Sequence, residues 1–284
     1  MENRIDYTKH EKKARIRQRV LHAVTYVFLA FWAVIVLFPF YWMIVCSTNP
    51  NPDILQKRLT FGTYFVENFK NLVNSVTIAQ GFWNSLITSV CGCLLMLIVC
   101  SMAGYGFAKY KSPGKERVYK ILMVSMMIPF SSIMIPLFRM MSSMSLINSL
   151  VALVIPSIAS VFLTFFFRQN FSGFPYETLE AARIDGANEY RIFFNIVVPS
   201  MKSTYAAGAI WAFMRIWNDF LWPLLVIQTP PKQTLPLIIS GMNAAYYIDY
   251  GPIMVAILIA TLPLIVIFLT LQEQFVSGIV GASK

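Results

Sequence analysis

Residues 175–199, PYETLEAARIDGANEYRIFFNIVVP, form the one long run rich in both acidic and basic side chains, and strongly apolar blocks flank it on either side. Pro175 suits the first turn of a helix, where a missing N–H is no loss, and Glu177 and Glu180 follow where the positive helix end favours acids. Gly186, after Asp185, offers a turn; a second amphipathic run over 187–197 sets Ile192, Phe193 and Ile196 on one side and stops before Pro199. The pattern predicts helix, turn, helix, lying on a membrane surface. Helices that only rest on lipid headgroups are usually rich in Lys and Arg. This one carries Glu177, Glu180, Asp185 and Glu189, an acidic surface that suits a basic protein partner.

The blocks around this stretch set the class. The chain has 284 residues, 57% hydrophobic and only 13% charged, which is far from a soluble composition. It reads as all-α and polytopic. The net charge of +10 does not point to nucleic acid, because the basic residues sit at the ends of apolar runs instead of forming a stripe with interleaved aromatics.

Residues 1–20 hold Arg4, Lys9, Lys12, Lys13, Arg15, Arg17 and Arg19, too many charges to cross lipid cheaply, so this tail is expected in the cytosol. The next apolar run, 21–46, is too long for a signal-peptide core and has no small-residue cleavage site. With it, spans are expected near 82–108, 118–139, 150–168, 204–227 and 252–272, each near the roughly 20 residues that cross about 30 Å of hydrocarbon. Six crossings return the C-terminus to the cytosol. The domain reading is therefore a basic tail (1–20), a six-helix transmembrane domain (21–274) with its cytosolic loop at 175–199, and a cytosolic tail (275–284). Lys109, Lys111, Lys115, Arg117 and Lys120 fall on the expected inner side, with Arg168, Arg183, Arg191 and Lys202; the outer loops carry only Lys57, Arg58, Lys70, Arg139 and Lys232. The long first outer loop, 47–81, reads as irregular structure followed by a short surface helix.

Polar residues inside apolar runs are few and costly. In YAAGAIWAFMRIWNDFLWPLLVI, Arg215 and Asp219 are four apart, on one helical face where they can pair, with Asn218 beside them. They either brace the span against a neighbouring helix, with Trp217 and Trp222 as interfacial anchors, or line a solvated path where polar groups bond hydroxyls and aromatic rings stack on sugar faces. Asn84, Ser85, Thr88 and Ser89 suggest close helix packing, as do Ala103, Gly104 and Gly106. Pro129, Pro136, Pro156, Pro223 and Pro263 imply kinks.

Cys46, Cys91, Cys93 and Cys100 lie in apolar runs without histidines at ligand spacing and read as packing residues; Cys91 and Cys93 alone could in principle hold only a soft metal, and no metal site is expected. There is no phosphate-binding loop, no catalytic motif and no dinucleotide turn, so no catalytic residue is assigned and the chain is not expected to be an enzyme. Two function classes remain: a transport subunit driven by a separate ATPase that grips the 175–199 loop, or a self-contained secondary carrier or channel. The latter often shows internal repeats around midplane charges, and no convincing repeat is visible.

The string Glu180-Ala181-Ala182, then Gly186, then Ile196-x-Val198-Pro199 resembles the EAA loop of ABC-importer permeases, with Val198 where leucine is usual. EAARIDGA, FLWPLL after Asn218 and Asp219, Asn84-Ser85, Ala103-Gly104-Tyr105-x-Phe107-Ala108, Pro129, Pro136-Leu137, Asn148 and the tail Phe275, Gly278, Gly281, Ala282, Lys284 are similar to carbohydrate-uptake permeases of the maltose-transporter type, specifically the smaller subunit. That resemblance implies an ABC type I importer permease fold in a bacterial inner (plasma) membrane. It further implies a heterodimer with a second homologous permease, two ABC ATPase subunits or domains, and an extracytoplasmic solute-binding protein. No cofactor would be bound by this chain, while ATP and Mg would be used by the ATPase. Glu180, Ala181, Ala182, Asp185, Gly186 and Pro199 would form the coupling helices: Glu180 pairing with a basic ATPase residue, the two alanines permitting close approach, Gly186 making the turn. Arg215, Asn218, Asp219 and Trp222 would be path, gate or scaffold.

Overall fold

A computed structural model describes the backbone of residues 2–110, 112–244 and 248–281 and the side chains of 16–110, 112–244 and 248–273. The tail basic residues up to Arg15, Lys111, and the side chains of the C-terminal residues from Phe275 onward lie outside what is described. The described residues are helical, with no strand among them. The chain divides into two compact units, residues 1–69 with 249–255, and residues 70–248 with 256–284.

In the first unit, the helix Glu2–Ser47 contains the apolar run Ile16–Ser47, whose large side chains face outward almost to its end. Only Val45, Cys46 and Ser47 are buried. Beyond them an asparagine cluster receives the chain: the Asn49 amide donates to the carbonyls of Val45 (2.8 Å) and Thr60 (2.9 Å), and the Asn68 amide donates to those of Ser47 (2.9 Å) and Asn49 (3.0 Å). These side chains take up carbonyls that a helix end leaves without partners.

The second unit is built on the helix Ile78–Lys109, which packs against Val161–Ser172 and Lys202–Trp217. Its polarity is inside-out relative to a soluble helix. Gly81, Asn84, Ser85, Thr88, Ser89, Gly92, Cys93, Met96 and Cys100 recur at helical spacing on the buried face, whereas Trp83, Ile87, Leu94, Leu95 and Ile98 point outward. Small and hydroxylated residues let helices approach closely, and large apolar ones face lipid. Asn84 donates to the carbonyls of Pro231 and Gln233, both at 2.9 Å, and the Ser85 hydroxyl accepts from the Leu235 N–H at 2.7 Å, so the pair also anchors the start of Leu235–Asn243.

Among the described residues three helices, Ile16–Ser47, Ile78–Lys109 and Tyr250–Glu273, are each long and apolar enough to cross a membrane, and up to five if two bent pairs each count as one span. The stretch 118–139 is not a single helix. Pro113–Ser125 and Phe130–Ser143 are bent by 106°, because Pro129 disfavours helical backbone at Ile128 and itself takes the extended N-cap conformation (ψ 140°). A milder bend of 43° separates Val151–Ser157 from Val161–Ser172. The stretch 204–227 is also interrupted: Lys202–Trp217 ends at Asn218, and Leu221–Val226 begins afresh. Pro223 explains the break, since a helix running through would drive its ring into the Asp219 carbonyl.

Asn148, with φ +58°, locks neighbouring loops of this unit together. Its side-chain oxygen accepts from the backbone N–H groups of Gln228 (3.1 Å) and Thr229 (3.2 Å), its N–H donates to Val226 O (2.7 Å), and its carbonyl accepts from Lys232 Nζ (2.7 Å).

Candidate coupling loop and transmembrane recess

Residues 175–199 fold as the helix Tyr176–Ile184, a turn, and the helix Glu189–Ile192 continued by a π-helical segment, Phe193–Val197. The first helix closes with a Schellman arrangement: the Ala187 N–H donates to Ala182 O and the Gly186 N–H to Arg183 O, both at 3.0 Å, with Gly186 at φ +80°. A side chain at that φ is strained, which is why glycine makes the turn. Asn188 caps the second helix by accepting from the Arg191 N–H at 2.9 Å.

Leu179, Ala182, Ile192, Phe193 and Val197 are buried and fix the loop to the unit. Phe193 packs on Tyr105, near the end of Ile78–Lys109, with ring centroids 5.3 Å apart, and Lys109 Nζ donates to Phe174 O at 2.6 Å. Glu177, Glu180, Ala181, Ile184 and Asp185 face outward at helical spacing, with Ile184 87% exposed. The two alanines therefore do not share a face, since their 100° separation turns Ala182 inward and leaves only Ala181 outside. The helical path also does not stop before Pro199. Val198 donates to Phe193 O in an i→i+5 bond, and this widened turn admits Pro199 within Val198–Ser200.

Glu189, grouped in sequence with the acidic surface, turns inward instead. Its Oε1 accepts from Arg183 Nε at 2.7 Å and its Oε2 from the Tyr105 hydroxyl at 3.4 Å. The Arg183 hydrogen bond holds the Glu189 carboxyl below the usual carboxylate range and pushes the guanidinium of Arg183 up. The loop's working set thus includes Arg183, which complementary charge across the glycine turn signals in the sequence, and Tyr105, which no local pattern signals.

The second candidate region is a recess of about 200 Å³ lined in part by Phe130, Ser157, Arg215, Asp219, Leu221 and Trp222. Arg215 and Asp219 both reach it, but no ion pair or hydrogen bond joins them among the described residues. The helix ends between them, at Asn218, so their i, i+4 geometry is lost. Asp219 instead accepts from the Trp222 N–H at 3.4 Å, while the Arg215 guanidinium lies 5.7 Å from the Trp211 ring centre. Asn218 is exposed and caps the helix through its N–H, bonded to Met214 O at 3.1 Å.

Neither tryptophan is an interfacial anchor. Trp222 is buried against Phe130, Met141, Leu153 and Val226 and donates its indole N–H to Ala152 O at 2.8 Å; Trp217 is buried and donates to Ala260 O at 3.0 Å. The cysteines are unpaired, with Cys46, Cys93 and Cys100 buried and Cys91 exposed, and no cluster of three potential metal ligands occurs among the described residues.

Comparison with known proteins places this geometry. The chain is 41% identical over 269 residues to the lactose transport system permease protein LacG of Rhizobium radiobacter, covering 95% of this chain and 98% of that one. It is 34% identical over 263 residues to the arabinooligosaccharides transport system permease protein AraQ of Bacillus subtilis, covering 90% and 94%. It is 32% identical to the sn-glycerol-3-phosphate transport system permease protein UgpE of Escherichia coli K12 over 260 residues, covering 88% and 92%. The fold matches a chain of a bacterial ABC transporter involved in the import of the acidic polysaccharide alginate, with a TM-score of 0.79 at 20% identity over 90% of this chain and 97% of that one. Residues 100–280, which include both the loop and the recess, match the family described as the binding-protein-dependent transport system inner membrane component. The chain belongs to that family and is a membrane permease, not an enzyme.

Proposed function

We propose that the chain is one of two permease subunits of an ATP-driven, binding-protein-dependent importer of carbohydrate. It forms half of the translocation pathway and couples to the ATPase through residues 175–199. Lactose and arabinooligosaccharides, named for two relatives, support a sugar substrate. The observation that carries the coupling role is the outward row Glu177, Glu180, Ala181, Ile184 and Asp185, held rigid by the Gly186 turn and the buried Leu179, Ala182 and Ile192. An exposed isoleucine ringed by acids fits a cleft with an apolar floor and basic walls.

In this reading two ABC ATPase subunits or domains bind and hydrolyse ATP with Mg, and their closure draws the coupling loops together. A second homologous permease completes the pathway, an extracytoplasmic solute-binding protein delivers the sugar, and lipid covers the outward faces. The chain crosses the membrane six times with both termini in the cytosol, a topology supported by the Lys and Arg asymmetry of its loops. The recess at Arg215, Asp219 and Trp222 contributes to the path or its gate: a carboxylate and a guanidinium held apart are free to bond hydroxyls, and the bend beside them can move.

The test is affinity purification from the native membrane in mild detergent, with and without Gly186→Val. Recovery of a second permease and an ABC ATPase, with the ATPase lost in the variant, is expected. A chain that comes out alone and moves solute in vesicles without ATP would make it a secondary carrier.

A further inference from the structure

At one point in the second unit a single carboxylate joins its own helix to two other segments. Glu189 opens the second helix of the loop, binds Arg183 of the first helix at 2.7 Å across the Gly186 turn, and receives the Tyr105 hydroxyl of the long helix Ile78–Lys109 at 3.4 Å. The Tyr110 hydroxyl also faces it. Aromatic packing reinforces the junction: Tyr105 lies edge-on to Tyr110 and Phe171, each at 6.1 Å, and against Phe193 at 5.3 Å. A recess of about 190 Å³ opens beside it, lined by Met102, Gly106 and Tyr190 among others, so the carboxylate is not wholly enclosed by protein.

The outward residues of the loop cannot carry a displacement into the membrane by themselves. A push on Ile184 or Glu180 acts on the helix Tyr176–Ile184, whose approach is tied to the long helix by the Lys109 bond to Phe174 O (2.6 Å), and two further routes lead from the helix itself. One is the apolar packing of the buried Leu179 and Ala182, which is non-directional and tolerates sliding. The other runs from Arg183 to Glu189 through a charge-assisted bond of 2.7 Å and on to Tyr105 through a longer contact of 3.4 Å, backed by Phe193 packed on the Tyr105 ring, and this directional path resists it.

We infer that Glu189 is a positioning residue that clasps the two limbs of the loop to the cytosolic end of Ile78–Lys109, so that movement imposed on the loop is transmitted to that helix. This rests on the proposed coupling function and names the contact through which coupling acts. It separates two roles on one loop: Glu180, Ile184 and Asp185 hold the partner, and Glu189 holds the membrane helix. Loss of the clasp leaves the partner bound but turning over without effect.

The experiment uses the complete importer in proteoliposomes with its binding protein, supplied with whichever of lactose or an arabinooligosaccharide the unaltered complex imports. Sugar moved per ATP hydrolysed is measured alongside the amount of ATPase retained. Glu189→Ala, and separately Tyr105→Phe combined with Tyr110→Phe, are expected to retain the ATPase while sugar per ATP falls at least about fivefold, the lower end of usual coupling strengths. The tyrosine pair is decisive because it leaves Arg183 and Glu189 bonded. If it moves as much sugar per ATP as the unaltered complex, Glu189 merely shapes the loop and the inference is overturned; loss of the ATPase in Glu189→Ala would overturn it too.

Amide hydrogen exchange of residues 102–109 in the purified complex gives a readout that needs no sugar. Both variants are expected to speed it, and unchanged exchange in both would overturn the clasp. Failure of the unaltered complex to hold an ATPase at all would count instead against the proposed function.

Discussion

Gly104 stands so close to Phe167 that a Cβ built on it would lie 2.6 Å from the Phe167 Cβ and 2.9 Å from the Arg168 nitrogen. Two helices meet there backbone to side-chain root, with no flexible tip to yield. Gly104→Val is therefore expected to cost about 1–3 kcal/mol by overpacking and to lower the thermal unfolding temperature of the detergent-purified chain. Gly106→Ala, where nothing lies within 4 Å of the added carbon, should not lower it, and the better helix propensity of alanine favours a small rise.

Gly186 should tolerate asparagine and reject valine. Its φ of +80° is open to glycine and, less readily, to asparagine, while for other residues left-handed backbone costs roughly 1–2 kcal/mol. Co-purified ATPase should follow the order Gly, Asn, Val at equal membrane abundance of the chain. Equal recovery from all three would show that the turn does not set the docking geometry.

Glu180→Lys places a cation in the outward row of the loop without touching its buried face. The expected outcome is loss of the ATPase and of uptake, with normal insertion and normal thermal stability. Ala182→Leu should do the reverse, since Ala182 is buried: the chain itself should become less stable.

Acid should loosen the clasp and neutral pH should not. The Glu189 carboxyl is held below its unfolded value by Arg183, so the stability it contributes is fully present above the ordinary carboxylate range and is lost as pH falls through the depressed folded value. Cleavage of the loop by an acid-active protease should rise steeply on that descent. Glu189→Gln, which does not titrate, should show a flatter profile, and identical profiles would remove Glu189 as the titrating group.

Asp219→Ala is expected to reduce sugar uptake while the ATPase stays bound, because its carboxylate lines the recess and its bond to the Trp222 N–H is long, at 3.4 Å. Disassembly of the complex would assign Asp219 to bracing instead.

Local chemistry made the loop legible in the sequence. The acids beside Pro175, the glycine after Asp185 and the apolar side of the second helix each follow from short-range preferences, and each sits where those preferences put it. Ala181 and Ala182 could not be sorted in the same way, because two small residues carry no amphipathic signal and their sides were set by Leu179 and Ile184. Arg215 and Asp219 looked like a helical pair for a related reason. Spacing alone does not reveal that Pro223, four residues beyond Asp219, ends one helix and starts another. Hydropathy likewise marked the stretch 118–139 without showing the 106° turn at Pro129. Glu189 was visible as a charge, but its partner Tyr105 is 84 residues away, and only tertiary structure joins them.

The interruption at residues 218–220 has a consequence for the life of the chain in the cell. Non-helical backbone in an apolar stretch persists only where protein or water covers it, and in this chain alone Arg215 and Asn218 stand exposed beside it. In the proposed pair of permeases the second subunit covers that seam, and a copy synthesised without it would leave the seam uncovered. Its abundance should then follow the supply of the other subunit, with any surplus removed by membrane proteases, so that stoichiometry is enforced by degradation as well as by synthesis.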